Sequence, residues 1–277
     1  MNDFVQCEIS EGVAVVTLNR PERLNAIGPA MGDLFDRTMV QVGLDDAVKV
    51  VVLTGSGRGF CAGADMERLD DLAATAGGSF ERLPPGSPHP VFDALADSPP
   101  EHRSRYIIPS ALPKPVIAAV NGACAGVGLS LAASCDVRFA STDALFTAGF
   151  PRRGLTAEAG LAFTLPAIVG QGAAADILLS GRRLSAHEAL RIGLVSVVLE
   201  PADLLAHAVD YARDIAENVS PRSTRVIKRQ LWKARSETFA EALTTAYEEV
   251  VASLESEDFK EGVAHFRERR KPVFVGR

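Results

Sequence analysis

The most apolar stretch of the chain is Lys114-Pro-Val-Ile-Ala-Ala-Val-Asn-Gly-Ala-Cys-Ala-Gly-Val-Gly-Leu-Ser-Leu-Ala-Ala-Ser-Cys-Asp136. Its uniformly apolar run Val116–Val120 predicts a short buried strand, and Asn121-Gly122 predicts a turn. Mostly small residues follow, and Leu129–Ser134 then has the composition of a buried helix. Small residues ahead of a helix let another molecule approach backbone N–H groups that have no partner within the helix. Such a helix start is partly positive, so it suits an anion or an oxygen that becomes negative during a reaction.

A membrane helix is the alternative interpretation of this stretch. Pro115–Cys135 is nearly uncharged and about long enough to cross a bilayer. However, Asn121-Gly122 and the glycines that follow would weaken a helix in lipid, and no basic cluster flanks the stretch. The sequence therefore favours a strand, a turn and a helix inside a protein core, without membrane contact.

The composition is that of an ordinary globular protein. The 277 residues are 47% hydrophobic and 23% charged, which allows a large core. The net charge of −6 argues against a general nucleic-acid surface, although a small anionic ligand needs only a local basic cluster. The N-terminal residues contain no basic region followed by an apolar run, so we expect no signal peptide and a cytoplasmic location.

The cysteines predict neither disulfides nor a metal site. Cys7, Cys61, Cys124 and Cys135 form no Cys-x-x-Cys pair and no Cys/His metal set. We therefore expect reduced cysteines that pack as small core residues, as in a cytosolic protein.

A weak internal repeat indicates how the first half is organised. A strand, a small-residue loop and a helix occur at residues 48–72 and again at 116–134. This repeat favours an α/β protein built of stacked ββα units rather than one open sheet. Ahead of the repeat, the sequence predicts strands over Val5–Ile9 and Val13–Leu18 and a helix over Gly28–Leu44.

The second half becomes increasingly helical. The Gly-, Pro- and Ser-rich segment Ala76–Pro100 is predicted to be a long mobile loop. A helix is predicted over Ala159–Val169, with Pro166 tolerated only at a break or kink. From Pro201 onward nearly every segment has a helical pattern, and one helix carries an apolar stripe. The stripe either packs on the chain's own core or contacts another subunit, and the cluster of amphipathic helices favours oligomerisation. The stripe consists of Phe239, Leu243, Tyr247, Val250 and Leu254.

Four segments occur in an order and spacing that are typical of a known family. They are Thr17-Leu-Asn-Arg-Pro-Glu-Arg-Leu-Asn-Ala26, Val50-Val-Leu-Thr-Gly-Ser-Gly-Arg-Gly-Phe-Cys-Ala-Gly-Ala-Asp65, Lys114-Pro-Val-Ile-Ala-Ala-Val-Asn-Gly122 and Gly193-Leu-Val195. Over essentially its whole length the chain resembles the crotonase (enoyl-CoA hydratase/isomerase) superfamily. The resemblance implies a ββα spiral core that binds acyl-CoA in residues 1–200 and a helical trimerisation region in residues 201–277.

The resemblance also implies the substrate and the assembly. The substrate would be an acyl-CoA thioester of fatty acid metabolism, so coenzyme A would enter as part of the substrate and no separate cofactor is expected. The assembly would be a homotrimer or a dimer of trimers. By matched position, the backbone amides of Ala64 and Val127 would form an oxyanion hole for the thioester oxygen. The family usually has glycine at the second position, so the Val127 side chain is expected to narrow the approach.

The resemblance leaves the proton-transfer group open. The hydratase branch has two glutamates, and this chain has Ser130 and Phe150 at their positions. Ser130 could hold a water molecule but is a poor base, and Phe150, in the acyl pocket, cannot transfer a proton. Glu158 resembles by position the acid of the dienoyl-CoA isomerase and chlorobenzoyl-CoA dehalogenase branches, which favours it as a proton shuttle. Alternatively, Glu158 only lies in the first turn of the following helix, where the dipole favours a carboxylate.

Ser130 and the coenzyme A positions carry further alternatives. Gly128-Leu-Ser-Leu-Ala132 nearly matches a hydrolase nucleophile elbow, and His89 or His102 could be its base.

Matched positions for coenzyme A are Arg23, Ala26, Ala62, Phe266 and Arg269, the last two toward a neighbouring subunit. Phe266 and Arg269 could also belong to a solvated basic helix end.

We therefore expect an acyl-CoA enzyme in which double-bond isomerisation is favoured and hydration comes next. The alternative is a non-catalytic acyl-CoA-binding protein that has lost the two hydratase glutamates.

Overall fold

The computed structural model describes residues 3–75, 90–95 and 98–277. Most of the predicted loop Ala76–Pro100 therefore lies outside the described residues. Short 3-10 helices occur at Pro21–Arg23, Pro90–Leu95, Pro100–His102 and Pro151–Arg153. The strands of the described residues are β1 Val5–Ser10, β2 Val13–Leu18, β3 Val50–Gly55, β4 Gly59–Cys61, β5 Val116–Val120, β6 Ala123–Ala125, β7 Val137–Ser141, β8 Leu145–Thr147, β9 Leu184–Ser185 and β10 Val197–Leu199. The α-helices are α1 Pro29–Leu44, α2 Met66–Ala74, α3 Ile108–Ala111, α4 Val127–Ser134, α5 Leu161–Val169, α6 Gln171–Ser180, α7 Ala186–Arg191, α8 Pro201–Asn218, α9 Pro221–Lys233, α10 Phe239–Leu254 and α11 Glu257–Glu268.

The strands form two sheets. The larger sheet has the order β1-β2-β3-β5-β7-β10, and the smaller has the order β4-β6-β8-β9. The hairpin β1–β2 and the pair β8–β9 are antiparallel, and the remaining pairs are parallel. Each repeat places its first strand in the larger sheet and its second strand in the smaller one. The prediction of an α/β protein with stacked ββα units is therefore confirmed.

Two short strands were predicted as parts of loops. Gly59–Cys61 and Ala123–Ala125 pair with each other in parallel. Three residues are too few to give a periodic pattern, so these strands form only through the pairing of distant segments. The helix predicted from Leu129 begins earlier, at Val127.

The helix predicted over Ala159–Val169 begins at Leu161, because Ala159 and Gly160 have left-handed backbones with φ of +49° and +66°. It continues through Pro166 without a break. Pro166 has no N–H group to donate to the carbonyl of Ala162, and Ala162 is an exposed residue.

The larger sheet is buried on both faces. Successive residues of β3 alternate between two apolar clusters, with Val51 and Leu53 in the main core and Val50 and Val52 in a second cluster. Helix α8 covers the second cluster with residues at every fourth position. These are Leu204, Ala208, Ala212 and Ala216. Burial on both faces explains why the central strands are uniformly apolar.

The C-terminal helices leave the α10 stripe uncovered. Phe239 is 83% exposed and Tyr247 is 67% exposed, and the other three stripe residues are exposed as well. The interpretation that this stripe packs on the chain's own core is therefore wrong. Within the described residues, no helix combines the length and the apolar character needed to cross a bilayer.

Candidate functional site

The site begins where the parallel strands β4 and β6 end at the same edge of the smaller sheet. The loops that follow them lie against each other. A Cβ on Gly63 would lie 2.9 Å from the carbonyl oxygen of Ala125, and a Cβ on Gly128 would overlap the carbonyl of Cys61. Glycine at both positions therefore permits the two backbones to approach this closely.

The backbone of the first loop is fixed by a bridge to Ile27. The Ile27 amide donates to the carbonyl of Gly63 at 2.8 Å, and the Asp65 amide donates to the carbonyl of Ile27 at 3.2 Å. In this parallel bridge the intervening Ala64 directs its amide away from Ile27. No residue that the structure describes accepts a hydrogen bond from the Ala64 amide. Ala64 is only half-buried, so its amide can meet a ligand.

The second loop ends at Val127, the first residue of α4. The preceding Gly126 has a φ of +55° and donates its amide to the carbonyl of Thr147 at 3.0 Å. Its carbonyl accepts the amides of Leu129 and Ser130 at 2.9 and 3.2 Å. The Val127 amide itself has no acceptor among the described residues, as expected at a helix start. The Val127 side chain is 2% exposed and belongs to the main core.

Ser130 contacts the backbone of Glu158. Its hydroxyl is directed to the Glu158 carbonyl, with 3.3 Å between the two oxygens, and Ser130 is 1% exposed. The same carbonyl accepts the amide of Leu161 at 3.0 Å. Glu158 itself is half-buried. The hydroxyl proton of Ser130 thus has a protein acceptor, where the sequence suggests a water molecule.

Phe150 lies beside the second loop. A Cβ on Gly126 would be 3.7 Å from the edge of the Phe150 ring. Phe150 is buried, with 5% of its surface exposed. The two arginines that follow point elsewhere. Arg152 donates from Nε to the carbonyl of Gly181 at 2.8 Å, and the guanidinium of Arg153 lies over Gly149.

The predicted coenzyme A residues of the N-terminal half lie near the first loop. Ala62 is half-buried and donates its amide to the carbonyl of Leu24 at 2.9 Å, which aligns residues 24–26 with residues 62–64. Ala26 is 9% exposed. Arg23 extends to the surface and pairs with Glu67 at 3.3 Å.

Three polar residues that the sequence analysis did not single out hold this arrangement. Asn25 is fully buried and donates from Nδ2 to the carbonyls of Ser56 and Gly59, at 3.0 and 2.6 Å. Its Oδ1 accepts the amide of Arg20 at 2.7 Å. Arg20 pairs with the carboxylate of Asp65, and this hydrogen bond is the main reason why the pKa of Asp65 is lowered. The available signal was that all three residues lie within the quoted segments 17–26 and 50–65.

The predicted residues of the C-terminal half lie on α11 and at its end. Phe266, on α11, is 81% exposed, and Arg269 ends that helix with a φ of +56°. Among the described residues, no hydrogen bond or ion pair connects them with Ala64 or Val127. Within a single chain, therefore, no contact with the two loops supports the assignment of Phe266 and Arg269 to the coenzyme A site.

His102 does not pair with Ser130. Its Nδ1 lies 3.0 Å from the hydroxyl of Ser110, and its ring meets the edge of Trp232 with 4.9 Å between centroids. Burial lowers the pKa of His102. His89 lies outside the described residues. The hydrolase interpretation of Ser130 is thus wrong for His102.

The buried cysteines are not reactive thiolates. Burial raises the pKa of Cys61 and Cys135 to about 12, and it raises that of Cys124 well above the ordinary value. Across the described part of the chain, no group of three His, Cys, Asp or Glu side chains is placed to hold a metal ion.

A separate cavity of about 920 Å³ lies between the end of α1, α3 and α9. Leu44, Leu112 and Trp232 are among its lining residues, as is His102, and none of the predicted oxyanion-hole, proton-transfer or coenzyme A residues is. It lies near the start of β5, whereas the two loops follow β4 and β6 at the other end of that repeat.

Comparison with known proteins gives a consistent result over the whole chain. The profile of the family described as "Enoyl-CoA hydratase/isomerase" matches residues 8–83 and 95–277. The chain is 33% identical over 284 residues to the 1,2-epoxyphenylacetyl-CoA isomerase of Escherichia coli (strain K12), covering 100% of both proteins. It is 36% identical over 277 residues to the (E)-benzylidenesuccinyl-CoA hydratase of Thauera aromatica, covering 98% of this chain and 99% of that protein.

A solved structure supports the fold. The crystal structure of a probable enoyl-CoA hydratase/isomerase from Mycobacterium abscessus matches with a TM-score of 0.83 and 31% identity, covering 99% of each chain. The spiral α/β fold implied by the four sequence segments is thereby confirmed.

Proposed function

Because the chain belongs to the enoyl-CoA hydratase/isomerase family, we propose that it moves a carbon–carbon double bond within an acyl-CoA thioester. One observation carries this proposal. The amides of Ala64 and Val127, on two loops in direct contact, have no acceptor among the described residues. In the proposed complex both amides donate to one thioester oxygen. Each such donor stabilises the negative oxygen of a transition state by about 3 kcal/mol.

The reaction that fits these groups begins with proton removal beside the thioester. The carboxylate of Glu158 takes a proton from C2 of a 3-enoyl-CoA, and the electron pair moves onto the thioester oxygen as an enolate. Ala64 and Val127 donate to this oxygen. The enolate re-forms the carbonyl, the double bond moves between C2 and C3, and the protonated Glu158 returns the proton to C4. No atom is gained or lost, as an isomerisation requires.

Glu158 is supported as the base by its surroundings. It is half-buried, it follows an exposed stretch, and its carbonyl contacts the helix that begins with Val127. Phe150 has no group that can transfer a proton, and Ser130 directs its hydroxyl to the protein backbone. These features disfavour a two-carboxylate hydration mechanism.

Hydration is the second candidate, and the similarity to a protein named as a hydratase favours it. In that reaction Glu158 would take a proton from a water molecule whose oxygen adds to C3, and would return this proton to C2, while the same two amides hold the thioester oxygen. A non-catalytic acyl-CoA-binding protein is the third outcome that an assay must separate.

The proposal includes the coenzyme A site and the assembly. Residues 24–26 and 62–64 run side by side at the first loop, and Arg23 lies exposed there, which supports an adenine nucleotide site at Arg23, Ala26 and Ala62. The exposed stripe on α10 supports a homotrimer or a dimer of trimers. In that assembly Phe266 and Arg269 would meet the coenzyme A of a neighbouring subunit.

The test is a spectroscopic assay with a 3-enoyl-CoA. The conjugated 2-enoyl thioester absorbs in the ultraviolet, so isomerisation raises the absorbance, and hydration of an added 2-enoyl-CoA lowers it. We expect a rise with the native protein and none with Glu158→Gln, while both bind the substrate with similar affinity. The matched control is Glu248→Gln, an exposed glutamate on the side of α10 away from its apolar stripe.

Each other outcome has a defined meaning. A fall in absorbance with the 2-enoyl-CoA alone would identify a hydratase. Binding without either change would identify a binding protein. Full isomerisation by Glu158→Gln would remove Glu158 from the mechanism.

A further inference from the structure

Ser130 belongs to a fully buried helix, and its hydroxyl forms a hydrogen bond outside that helix. All eight residues of α4 are buried. A serine within a helix commonly bonds a carbonyl of the preceding turn, but the carbonyl of Gly126 already accepts the amides of Leu129 and Ser130. The Ser130 hydroxyl instead reaches the carbonyl of Glu158, 28 positions along the chain.

The segment that precedes Glu158 lies at the protein surface. Residues 151–157 are all exposed. Directly after Glu158, Ala159 and Gly160 have left-handed backbones with φ of +49° and +66°, and only the second is a glycine. A left-handed alanine is unfavourable and persists where neighbouring bonds enforce it. The Glu158 carbonyl, with the Ser130 hydroxyl and the Leu161 amide as donors, is the point where such bonds act.

We propose that Ser130 is a positioning residue, which fixes the backbone of Glu158 and so places its carboxylate relative to the thioester oxygen. This inference rests on the proposed function, in which Glu158 is the base. Ser130 follows Val127 by three residues, or about 4.5 Å along the helix axis. One rigid helix therefore presents the Val127 amide and holds the turn that carries Glu158.

This role predicts a specific kinetic change. In this role Ser130 acts through Glu158 rather than on the substrate, so its loss should leave KM nearly unchanged. A displacement of a catalytic group by about 1 Å costs up to about 100-fold in rate. Ser130→Ala should therefore lower kcat by about 10- to 100-fold and change the pH profile of kcat, because the carboxylate meets different surroundings.

Ser134 provides a matched control on the same helix. It is fully buried, and its hydroxyl donates to the carbonyls of Leu131 and Tyr106, at 2.8 and 3.4 Å. Ser134→Ala therefore removes a comparable hydroxyl without affecting Glu158. If Ser130 only stabilises the fold, the two variants should behave alike.

The experiment compares the native protein, Ser130→Ala, Ser134→Ala and Glu158→Gln in the isomerase assay over a range of pH. Amide hydrogen exchange over residues 150–162 is measured on the same samples, and this readout does not require activity. We expect Ser130→Ala alone to show the fall in kcat, the altered pH profile and faster exchange of the Leu161 amide. Ser134→Ala should stay within about 3-fold of native kcat.

The outcomes separate this inference from the proposed function. An inactive Glu158→Gln together with a fully active Ser130→Ala would overturn the positioning role and leave Glu158 as the base. Equal losses of kcat in Ser130→Ala and Ser134→Ala would also overturn it. The same holds if Ser130→Ala loses hydration activity but keeps its isomerisation activity. If Glu158→Gln keeps full activity, the proposed function fails, and unchanged exchange of Leu161 in Ser130→Ala would then refute the backbone contact as well.

Discussion

The guanidinium of Arg20 pairs with the carboxylate of Asp65, and Asp65 directly follows Ala64 in the chain. The same carboxylate accepts the amide of Glu67 at 3.2 Å and caps α2. The Asp65 amide meanwhile bonds to the carbonyl of Ile27. These contacts hold the peptide that carries the Ala64 amide, so a bond between side chains 45 positions apart determines the direction of a proposed oxyanion donor.

The Arg20–Asp65 pair predicts a pH-dependent stability. The hydrogen bond from Arg20 lowers the pKa of the Asp65 carboxyl below its ordinary value. A lowered carboxyl pKa stabilises the fold fully above the unfolded pKa, and this contribution is lost as the pH falls through the folded pKa. Asp65→Asn keeps an N-cap residue but loses the charge.

We expect Asp65→Asn to lose about 2 kcal/mol at pH 7, or about 4 °C in Tm, with a smaller difference near pH 3. Thermal unfolding at both pH values measures this. Asp210→Asn, which disrupts the exposed pair with Arg213, serves as the control and should change little. An equal loss at pH 7 and pH 3 would show that the charge pair is not the cause.

Gly63→Ala should abolish activity by disturbing the contact of the two loops. A Cβ there would lie 2.9 Å from the Ala125 carbonyl, and the φ of Gly63 is +105°. Gly170→Ala is the matched control, since Gly170 also has a positive φ, +78°, but no atom within 4 Å of an added Cβ. We expect kcat to fall by at least about 100-fold in Gly63→Ala. Comparable kcat values in the two folded variants would contradict the loop assignment.

The apolar stripe on α10 should be a subunit contact. Tyr247→Glu places a charge in the middle of the stripe and should shift the protein toward monomers in sedimentation velocity. Ala252→Glu, on the opposite face of the same helix, should leave the assembly unchanged. A native protein that sediments as a monomer would refute the proposed assembly, and a shift in both variants would point to unfolding of α10.

One of the four cysteines should react in the folded protein. Cys7 is exposed, although partial burial and the Asp45 and Glu8 carboxylates raise the pKa of its thiol. Cys61, Cys124 and Cys135 are buried and protonated at neutral pH because burial raises the pKa of each thiol. At pH 8 a disulfide reagent should modify about one thiol in the folded protein and about four after denaturation. Cys7→Ser should remove the fast phase. A second fast thiol in the native protein would contradict the burial of the core cysteines.

The order of the main elements could be predicted from the sequence, because long apolar runs and helical periodicity are local signals. Strand β5 has the predicted bounds Val116–Val120, and β2 has the predicted bounds Val13–Leu18. The short strands β4 and β6 were missed, since they exist through their pairing with each other. The exposure of the α10 stripe is likewise a property of the folded chain, although its amphipathic pattern is visible in the sequence.

The candidate site was predictable to a similar extent. Small residues before a helix indicated an accessible amide at Val127, and the structure places that amide at a helix start without a described acceptor. The bonds Arg20–Asp65 and Ser130–Glu158 join residues far apart in the chain. No local pattern contains such a contact, so neither could be inferred before the fold was known.

The most direct measurement of the central claim follows a labelled hydrogen. The native protein and Glu158→Gln are each given a 3-enoyl-CoA that carries deuterium at C2, and the product is analysed by NMR. We predict that the native protein forms the 2-enoyl-CoA with part of the deuterium at C4, because one carboxylate removes and returns it, and that Glu158→Gln binds the substrate but forms no product. Conversion by Glu158→Gln at the native rate, or no conversion of bound substrate by the native protein, would contradict the mechanism.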